Sequence, residues 1–288
     1  MNVERRFGER GAALVDALNE KAVLAAGGCA DRLATRIRRE VEAVKLSAIM
    51  KTLAKPGASG PLCDLALIDG YKKIVSLIDP KEYALDAADD KYSICALIEV
   101  MQSRLPMFIP HFRRVSEICV DMGKMMGLME RELLLIDALG FLHDVGKLGI
   151  ENEILLKQGP LTSKEWEAVK RHSAIGYKLI RPIHGISGLA DLVIAHHEHW
   201  DGKGYPLGLQ GKEIPLLCRI LSFADSTDAM IDDRPYRKAL PPSEILAEIE
   251  RCSGSQFDPE VVEAFLDMIH ERKYTVPFFS TLREAVIE

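Results

Sequence analysis

An adjacent histidine and aspartate, His143-Asp144, stand at the end of an apolar segment that includes Leu139. A buried carboxylate without a partner costs free energy, so Asp144 needs a cation or a hydrogen-bond donor. Its two oxygens can bridge two metal ions, whereas an imidazole binds one. Lys147 follows His143 by four residues and Asp144 by three, spacings that meet on one side of a helix. It could pair with the bridging carboxylate or hold a phosphate oxygen; the alternative is a surface lysine at a helix end.

Further candidate metal ligands lie downstream. His196 and His197 are consecutive near the end of a predicted helix and offer two more imidazole nitrogens. His199 follows them closely, and we expect it either to contact the ligands without binding a metal itself or to be exposed. Asp225 lies within a mostly apolar helix, where a carboxylate again needs a cation. Asp228 lies three residues further along the same face and could orient a ligand or the substrate.

These residue types indicate both the metal and the reaction. Ligation by histidine and aspartate without cysteine favours iron, manganese, zinc or nickel. Two such ions can bridge a hydroxide, lower its pKa and stabilise the attacking and leaving oxygens of a phosphate ester. Arg234 and Arg237 carry guanidinium groups that match phosphate oxygens bidentately. Surface ion pairs of these arginines with Asp232 and Asp233 are the alternative. The sequence therefore predicts a metal-dependent phosphodiesterase.

Helices must position these side chains. Apolar residues recur at steps of three and four along most of the chain, which is typical of helices with one buried face. A capping box, Thr162 with Glu165 three residues later, predicts a helix that runs to about His172. Glycines and a proline in 201–211 predict a loop. The other helices around the candidate residues are predicted at 93–105, 112–126, 131–145, 188–199 and 215–231.

Charge and composition exclude some classes of protein. The formal net charge of -6 argues against binding of nucleic-acid polymers, which requires a basic surface. The six cysteines form no CxxC pair, so we expect reduced, buried thiols rather than a zinc ribbon or a disulfide framework. No apolar run approaches the length of a membrane-spanning helix, and the first residues do not resemble a leader. We therefore expect a cytoplasmic protein.

The helical patterns and the candidate ligands divide the chain into two parts near residue 86. Residues 87–288 contain every candidate ligand and form the predicted catalytic domain. Residues 1–86 contain an amphipathic helical pattern at 32–48 and a break rich in proline and glycine at 55–61. We expect this first part to be a separate, mostly helical regulatory or dimerisation domain, through which the chain could form a homodimer. The predicted fold class is all-α.

The candidate residues occur in an ordered series of motifs between about 111 and 269. In chain order the motifs are His143-Asp144-Val145-Gly146-Lys147, Lys170-Arg171-His172, His196-His197-Glu198, Asp201-Gly202-Lys203-Gly204-Tyr205-Pro206, Ala224-Asp225, Asp233-Arg234-Pro235-Tyr236-Arg237 and Gln256-Phe257-Asp258-Pro259. A His-Asp pair alone is weak evidence, but the whole series resembles the HD-GYP family of HD-domain phosphohydrolases. The resemblance covers more than half of the chain and implies a helical HD-domain bundle.

The resemblance implies an activity and a metal centre. Members of the family hydrolyse cyclic di-GMP to linear pGpG, in some cases onward to GMP. The implied cofactor is a pair of divalent ions, iron or manganese, with zinc and nickel as alternatives. Asp144 would bridge the ions and act in catalysis with Lys147. The implied metal ligands are His111, His143, Asp144, His172, His196, His197 and Asp225.

The resemblance also implies contacts with the substrate and with a partner. Lys147 would position the phosphate, and Arg234 and Arg237 would grip it. Tyr205 and Asp228 are further candidates for substrate contact. The loop Gly204-Tyr205-Pro206 would line the site and contact a diguanylate cyclase domain of the GGDEF type.

The chain departs from the family pattern at informative positions. Some members carry a glutamate four residues before the first ligand histidine, and this glutamate supports a third ion. Met107 occupies that position here and is a poor ligand for a hard cation. We therefore predict two metal ions, which three tightly bound ions per chain would contradict. Thr227 replaces an aromatic residue but removes no ligand, so we expect an active enzyme.

Two other functions are alternatives. The chain could be an HD phosphohydrolase for another nucleotide, such as an alarmone, a linear nucleotide or a hybrid cyclic dinucleotide. The Gly204-Tyr205-Pro206 loop and the run 234–237 argue against an alarmone or a linear nucleotide. It could instead be a non-catalytic receptor for a cyclic dinucleotide or a module that binds a cyclase. The complete ligand set argues against both of these, because neither needs seven metal-binding side chains.

Overall fold

The computed structural model describes residues 87–232 and 238–287, and within these ranges the chain forms helices and no β-strand. The α-helices are α1 (Ala87–Arg104), α2 (Ile109–Met125), α3 (Glu130–Leu142), α4 (Asn152–Leu155), α5 (Ser163–Lys170), α6 (His172–Ile180), α7 (Leu189–Ala195), α8 (Leu216–Ile231), α9 (Pro242–Cys252), α10 (Pro259–Glu271) and α11 (Phe279–Ile287). Short 3₁₀ turns span Pro106–Phe108, Val145–Gly149, His184–Ile186 and Gly211–Glu213. The predicted domain at 1–86 and the predicted phosphate contacts Arg234 and Arg237 lie outside the described residues.

Helix α2 lies at the centre of the bundle and packs against α3, α8 and α10. Its apolar residues Phe112, Val115, Cys119 and Met122 recur at steps of three and four and are fully buried. This spacing places them on one face of the helix, so their burial stabilises α2 against three neighbours at once. The all-α fold class is confirmed for the described part of the chain.

Two further observations concern the described residues. Cys119, Cys218 and Cys252 are free, buried thiols, as the cysteine spacing predicts. Among the described helices, none combines the length and the apolar character that a membrane crossing requires.

Several predicted helix ends are wrong, and each error falls at a candidate ligand. The helix predicted at 131–145 ends at Leu142, and the chain continues in the 3₁₀ turn Val145–Gly149. The helix predicted at 188–199 ends at Ala195. After Leu142 the apolar residues Val145 and Leu148 continue at helical spacing, whereas polar residues follow Ala195. The histidines that follow therefore stand beside the free carbonyl groups of a helix end.

The helix predicted from the Thr162 capping box starts as expected but is broken before His172. Thr162 Oγ1 accepts a hydrogen bond from the Glu165 backbone N–H at 3.3 Å, and the Thr162 N–H donates to Glu165 Oε2 at 2.6 Å. The capping box is thereby confirmed. Helix α5 then ends at Lys170, and His172 opens a separate helix, α6. Downstream, α8 begins directly after Pro215, as predicted.

The close approach of the Val145–Gly149 turn to α6 requires a glycine. A Cβ atom on Gly146 would lie 1.8 Å from the carbonyl oxygen of His172 and 2.6 Å from the backbone nitrogen of Gly176. Both atoms belong to the backbone of α6, so neither can move aside cheaply. Gly146 therefore allows the turn after His143-Asp144 to lie directly against the start of α6, which carries the next ligand.

We predict that Gly146→Ala destabilises the protein by about 2 kcal/mol or more, because the added methyl group overpacks a backbone contact. Gly149→Ala is the matched control in the same turn. Its added Cβ would meet only the side chain of Ile175, at 2.9 Å and 3.0 Å, which can rotate. The added methyl group also reduces the conformational entropy of the unfolded chain, which offsets the cost of that contact. We therefore expect the free energy of unfolding to change by less than about 1 kcal/mol. Urea unfolding of both variants measures the difference, and equal losses would contradict the backbone contact.

Candidate metal centre

The helix ends and α8 bring the seven predicted ligands to one place. They come from the first turn of α2 (His111), the segment after α3 (His143 and Asp144), the first residue of α6 (His172), the segment after α7 (His196 and His197) and the middle of α8 (Asp225). The side chains of His111, His143, Asp144, His172 and His196 are buried. Helix boundaries thus decide where the ligands lie, and the bundle closes around them.

Three of the histidines share one hydrogen-bond arrangement. In each, Nδ1 contacts the carbonyl oxygen three residues earlier: His143 on Gly140 at 2.7 Å, His172 on Val169 at 2.6 Å and His196 on Val193 at 2.5 Å. A carbonyl oxygen can only accept, so each Nδ1 carries a proton and donates it. In the neutral ring, Nε2 is then unprotonated, which is the form that binds a metal.

The unprotonated nitrogens face one another. His172 Nε2 lies 3.2 Å from His196 Nε2 and 3.1 Å from His197 Nε2. Because the ring protons of His172 and His196 are used at Nδ1, no proton is left to link their lone pairs. In addition, His143 Nε2 and Asp144 Oδ1 are buried without a hydrogen-bond partner in the described part of the chain. A cation would satisfy these atoms together, so the residues present fit a bound metal.

The ligand atoms form two groups that share Asp144. One group contains Asp144, His172, His196 and His197, and the other contains His111, His143 and Asp144. Within each group the ligand atoms lie within 4.8 Å of one another. Asp225 joins the second group, because its Oδ1 lies 3.3 Å from His111 Nε2 and 3.9 Å from His143 Nε2. Each Asp144 oxygen faces a different ligand group. Oδ1 lies 3.2 Å from His172 Nε2, and Oδ2 lies 3.3 Å from His143 Nε2.

The electrostatics of the cluster favour the ionised form of the two carboxylates and the neutral form of His196. For His111, burial opposes protonation, but contacts with Asp225 and Asp228 outweigh it and raise the pKa. Burial opposes ionisation of Asp144, but the charge of Lys147 and the contact with His143 outweigh it and hold the pKa of Asp144 well below its usual value. Burial also opposes ionisation of Asp225, but the contacts of its carboxylate with His111 and His143 outweigh burial and lower its pKa. Burial and the neighbouring His172 lower the pKa of His196 to about 3. Near neutral pH the carboxylates are therefore ionised and His196 is uncharged, as metal ligation requires.

Lys147 lies at the rim of the cluster. Its Nζ forms an ion pair with Asp144, and it lies 4.8 Å from the centre of the Phe108 ring. The side chain of Lys147 is 15% exposed. This placement favours a role at the site over the alternative of a solvated surface lysine. The ammonium end of the side chain is anchored by Asp144, while part of the side chain remains accessible to a ligand.

Asp228 does not reach the open side of the cluster. It is fully buried, and its Oδ2 accepts a hydrogen bond from His111 Nδ1 at 2.6 Å. This contact leaves His111 Nε2 directed at Asp225 and Asp144. Of the two roles predicted for Asp228, the geometry favours orientation of a ligand over contact with the substrate.

The loop that contains Gly204-Tyr205-Pro206 covers one side of the cluster. The ring of Tyr205 lies 4.8 Å from the ring of His197, and Lys170 Nζ lies 5.6 Å from the centre of the Tyr205 ring. The Tyr205 backbone N–H donates to the carbonyl oxygen of His197 at 3.1 Å. A Cβ atom on Gly204 would lie 2.3 Å from the His199 backbone nitrogen, so only glycine permits this close approach.

Glu198 holds this loop in place, a role that the sequence motifs did not assign. Its carboxylate is buried and accepts hydrogen bonds from three successive backbone N–H groups, those of Leu207 at 2.6 Å, Gly208 at 3.1 Å and Leu209 at 2.9 Å. The signal in the sequence was an acidic residue directly after two ligand histidines. Its partners are backbone groups of a loop, which no side-chain pattern reveals.

The remaining residues that the sequence singled out are His199, Met107, Arg234 and Arg237. His199 is half-buried and belongs to neither ligand group found among the described residues, in line with the expectation that it is not a ligand. Met107, at the position of the third-metal glutamate, is 56% exposed in the turn before α2. Arg234 and Arg237 fall in 233–237, outside the described residues, so their contact with phosphate stays a prediction.

Comparison with known proteins agrees with this architecture. The family model described as HD domain matches residues 96–261. A cyclic di-GMP phosphodiesterase from Thermotoga maritima is 42% identical over 165 residues, which cover 56% of this chain and 44% of that protein. A 3'3'-cGAMP-specific phosphodiesterase 3 from Vibrio cholerae serotype O1 is 34% identical over 206 residues, which cover 70% of this chain and 44% of that protein. The chain thus spans less than half the length of these curated relatives.

A solved structure supports the fold. An HDG"Y"P protein from Bdellovibrio bacteriovorus superposes with a TM-score of 0.50 at 18% sequence identity. The superposition covers 71% of this chain and 69% of that chain. At this identity the likeness shows a common helical architecture.

We predict that Glu198→Gln loosens the loop. The amide has one acceptor oxygen, so its NH₂ group would face a backbone N–H that then loses its acceptor. Leaving a buried donor unpaired costs about 2 kcal/mol. Hydrogen exchange at residues 207–209 should become faster, and urea unfolding should record the lost stability.

Glu213→Gln is the matched control for this experiment. Glu213 Oε2 accepts a hydrogen bond from the Gln210 backbone N–H at 3.1 Å at an exposed position in the same loop region. Water can replace that bond, so we expect a change below about 0.5 kcal/mol. Exchange at 207–209 that is equally slow in wild type and Glu198→Gln would show that the carboxylate does not hold the loop.

Proposed function

This chain belongs to the HD-GYP family of HD-domain proteins, and we propose that it is a metal-dependent phosphodiesterase that hydrolyses cyclic di-GMP to linear pGpG. Further hydrolysis of pGpG to GMP would be a second use of the same site. The observation that supports the proposal most directly is the pair of ligand groups that share Asp144 beneath Tyr205. A protein that only binds a dinucleotide would not need to bury so many unprotonated nitrogens around a carboxylate.

The ligand set fits two divalent ions, iron or manganese, with zinc or nickel as alternatives. His172, His196 and His197 would hold one ion, and His111, His143 and Asp225 would hold the other. Asp144 would contribute one oxygen to each. Bound at such a site, divalent ions supply a hydroxide nucleophile at neutral pH and stabilise charge on the attacking and leaving oxygens of the phosphate.

The side chains around the ligands bind and orient the phosphodiester. Lys147 would place its positive charge beside a non-bridging phosphate oxygen while Asp144 holds the other side of its ammonium group. Tyr205 keeps the proton on its hydroxyl, because burial and the charges of Asp144 and Asp225 raise its pKa. It can therefore donate a hydrogen bond to the substrate. From the sequence we propose that Arg234 and Arg237 grip the phosphate from the segment after α8.

The reaction consumes one water for each bond broken. Attack at phosphorus breaks the bond to the 3′-oxygen, which leaves and takes up a proton. The ring opens to a linear dinucleotide with a 5′-phosphate and a 3′-hydroxyl. Exclusion of bulk water by the Tyr205 loop would strengthen the electrostatic contacts with the phosphate during this step.

A hybrid cyclic dinucleotide is the second candidate substrate. The relative from Vibrio cholerae is named for 3'3'-cGAMP, and its similarity extends over 70% of this chain. Both molecules present the same phosphodiester to the metals and differ in one base. The choice between them therefore depends on contacts with the bases at the rim of the site.

We also propose a partner and a setting for the enzyme. The Gly204-Tyr205-Pro206 loop would contact a GGDEF-type cyclase domain. It lies at the surface beside Lys203, whose side chain is 82% exposed, so a partner could reach it. Dimerisation through residues 1–86 and a cytoplasmic location stay predictions from the sequence.

We predict that the purified protein converts cyclic di-GMP to pGpG when Mn²⁺ or reduced iron is present. Chromatography of the products, with 3'3'-cGAMP and a linear dinucleotide run in parallel, identifies the substrate class. Asp144→Asn should lower the rate at least about a thousand-fold, because it removes the charge shared by both ligand groups. Binding of cyclic di-GMP without any hydrolysis would support the receptor alternative and refute the proposal.

We predict that metal analysis finds two divalent ions per chain and that chelation lowers the midpoint of urea unfolding. Restoring Mn²⁺ to about a hundred times its dissociation constant should recover about 2.7 kcal/mol for each site. Asp144→Asn should abolish most of this recovery. Glu248→Gln, which alters an exposed ion pair with Arg251 on α9, is the control and should recover fully. Three tightly bound ions per chain would contradict the two-metal assignment.

A further inference from the structure

Behind the metal centre, Arg114 of α2 contacts two carboxylates, one within α8 and one directly after its last residue. Arg114 Nε donates to Asp228 Oδ1 at 2.6 Å, and its Nη2 donates to Asp228 Oδ2 at 3.2 Å. Asp228 Oδ2 also accepts the hydrogen bond from His111 Nδ1. Both oxygens of this fully buried carboxylate are thus occupied, and their partners lie three residues apart on the same face of α2. Arg114 therefore fixes the rotation of the group that orients a metal ligand.

The same guanidinium also reaches the end of α8. Arg114 Nη2 forms an ion pair with Asp232, the residue that follows the last residue of α8. The side chains are 29% exposed for Arg114 and 47% exposed for Asp232, so this contact lies nearer the surface than the Asp228 contact. A planar guanidinium has five N–H donors in a rigid fork and can hold two carboxylates at once, which a lysine cannot do with the same geometry.

The position of Asp232 gives this second contact a consequence for the substrate. Asp232 is the last described residue before 233–237, and Arg234 follows it by two residues in the sequence. The ion pair with Arg114 holds Asp232 at the end of α8. The contacts of one side chain therefore extend from a metal ligand to the start of the segment that we propose to grip the phosphate.

We propose that Arg114 is a positioning residue that couples the orientation of His111 to the end of α8 at Asp232. The substrate half of this inference rests on the proposed function. The metal half does not, because it concerns only the contact of Arg114 with Asp228 and His111.

Two separate losses are expected when Arg114 is removed. Without the guanidinium, the Asp228 carboxylate keeps its hydrogen bond from His111 but loses the contacts that fix its rotation. Loss of groups that orient a metal-ligating histidine lowers metal affinity about 10- to 100-fold. Without the ion pair, the chain at Asp232 is no longer anchored, and the KM for the dinucleotide should rise. An ion pair of this exposure changes binding by about five-fold at most.

The experiment compares four isosteric or near-isosteric variants. Arg114→Gln should weaken Mn²⁺ affinity, measured by calorimetry on the chelated protein, and raise the KM for cyclic di-GMP. Asp228→Asn should weaken Mn²⁺ affinity, whereas Asp232→Asn should raise the KM and leave Mn²⁺ affinity within about two-fold of wild type. Arg113→Gln is the matched control on α2; in the described ranges no ion pair of Arg113 is found, and neither quantity should change.

A double-mutant cycle tests the route of the effect on the metal. If Arg114 acts through Asp228, adding Arg114→Gln to Asp228→Asn should cause little further loss of Mn²⁺ affinity. Full additivity of the two losses would overturn the proposal. So would an Arg114→Gln protein whose Mn²⁺ affinity and KM both match those of Arg113→Gln.

A second variant keeps the test decisive if Arg114→Gln does not fold. Arg114→Lys preserves the charge and most of the apolar stem but lacks the fork, so it can keep only one of the two carboxylates. We expect it to fold and to lose either Mn²⁺ affinity or substrate affinity. Wild-type values for both would overturn the proposal. If wild-type protein hydrolyses no cyclic dinucleotide, the proposed function fails, while the Mn²⁺ measurements still test the coupling of Arg114 to His111.

Discussion

The structure depends on one electrostatic requirement: lone pairs of several histidines converge on a buried, ionised carboxylate. His172 Nε2 lies 3.2 Å from His196 Nε2 and also 3.2 Å from Asp144 Oδ1, although the ring proton of His172 is donated to a backbone carbonyl. Such an arrangement is unfavourable without positive charge at its centre. Lys147 supplies one charge at the rim, and the remaining ligand atoms fit divalent cations. The residues of the buried polar core thus fit metal ions.

Helix ends provide the means to build this core. The last carbonyl groups of a helix have no partner within it, so they can accept other hydrogen bonds. His143, His172 and His196 each follow a helix end and donate Nδ1–H to a carbonyl three residues earlier. One contact therefore satisfies the helix end, fixes the ring and leaves Nε2 free for the metal. The early ends of α3, α5 and α7 are part of the site.

Support for the ligands comes from charged side chains that face away from the cluster. Glu198 follows two ligand histidines and fixes the loop that carries Tyr205 through three backbone N–H groups. Asp228 and Arg114 hold His111 from the opposite side. Glu198 accepts hydrogen bonds from backbone N–H groups, and Asp228 is paired with the guanidinium of Arg114. Burial therefore leaves neither carboxylate without a partner. Position and orientation of the ligands are therefore set by contacts that never touch the substrate.

The sequence by itself determined the helical class, the capping box at Thr162, the start of α8 and five of the seven candidate ligands, whereas His111 and His172 were implied only by the family resemblance. These depend on local periodicity, on capping chemistry and on residue types that few other roles require. The tertiary structure decided where α3, α5 and α7 end, because the residues after these helices pack against other parts of the bundle or enter the cluster instead of continuing the helix. It also decided the roles of Glu198, Asp228 and Arg114. Their partners lie on loops or helices distant in the sequence, and a buried ion pair depends on packing that local pattern does not encode.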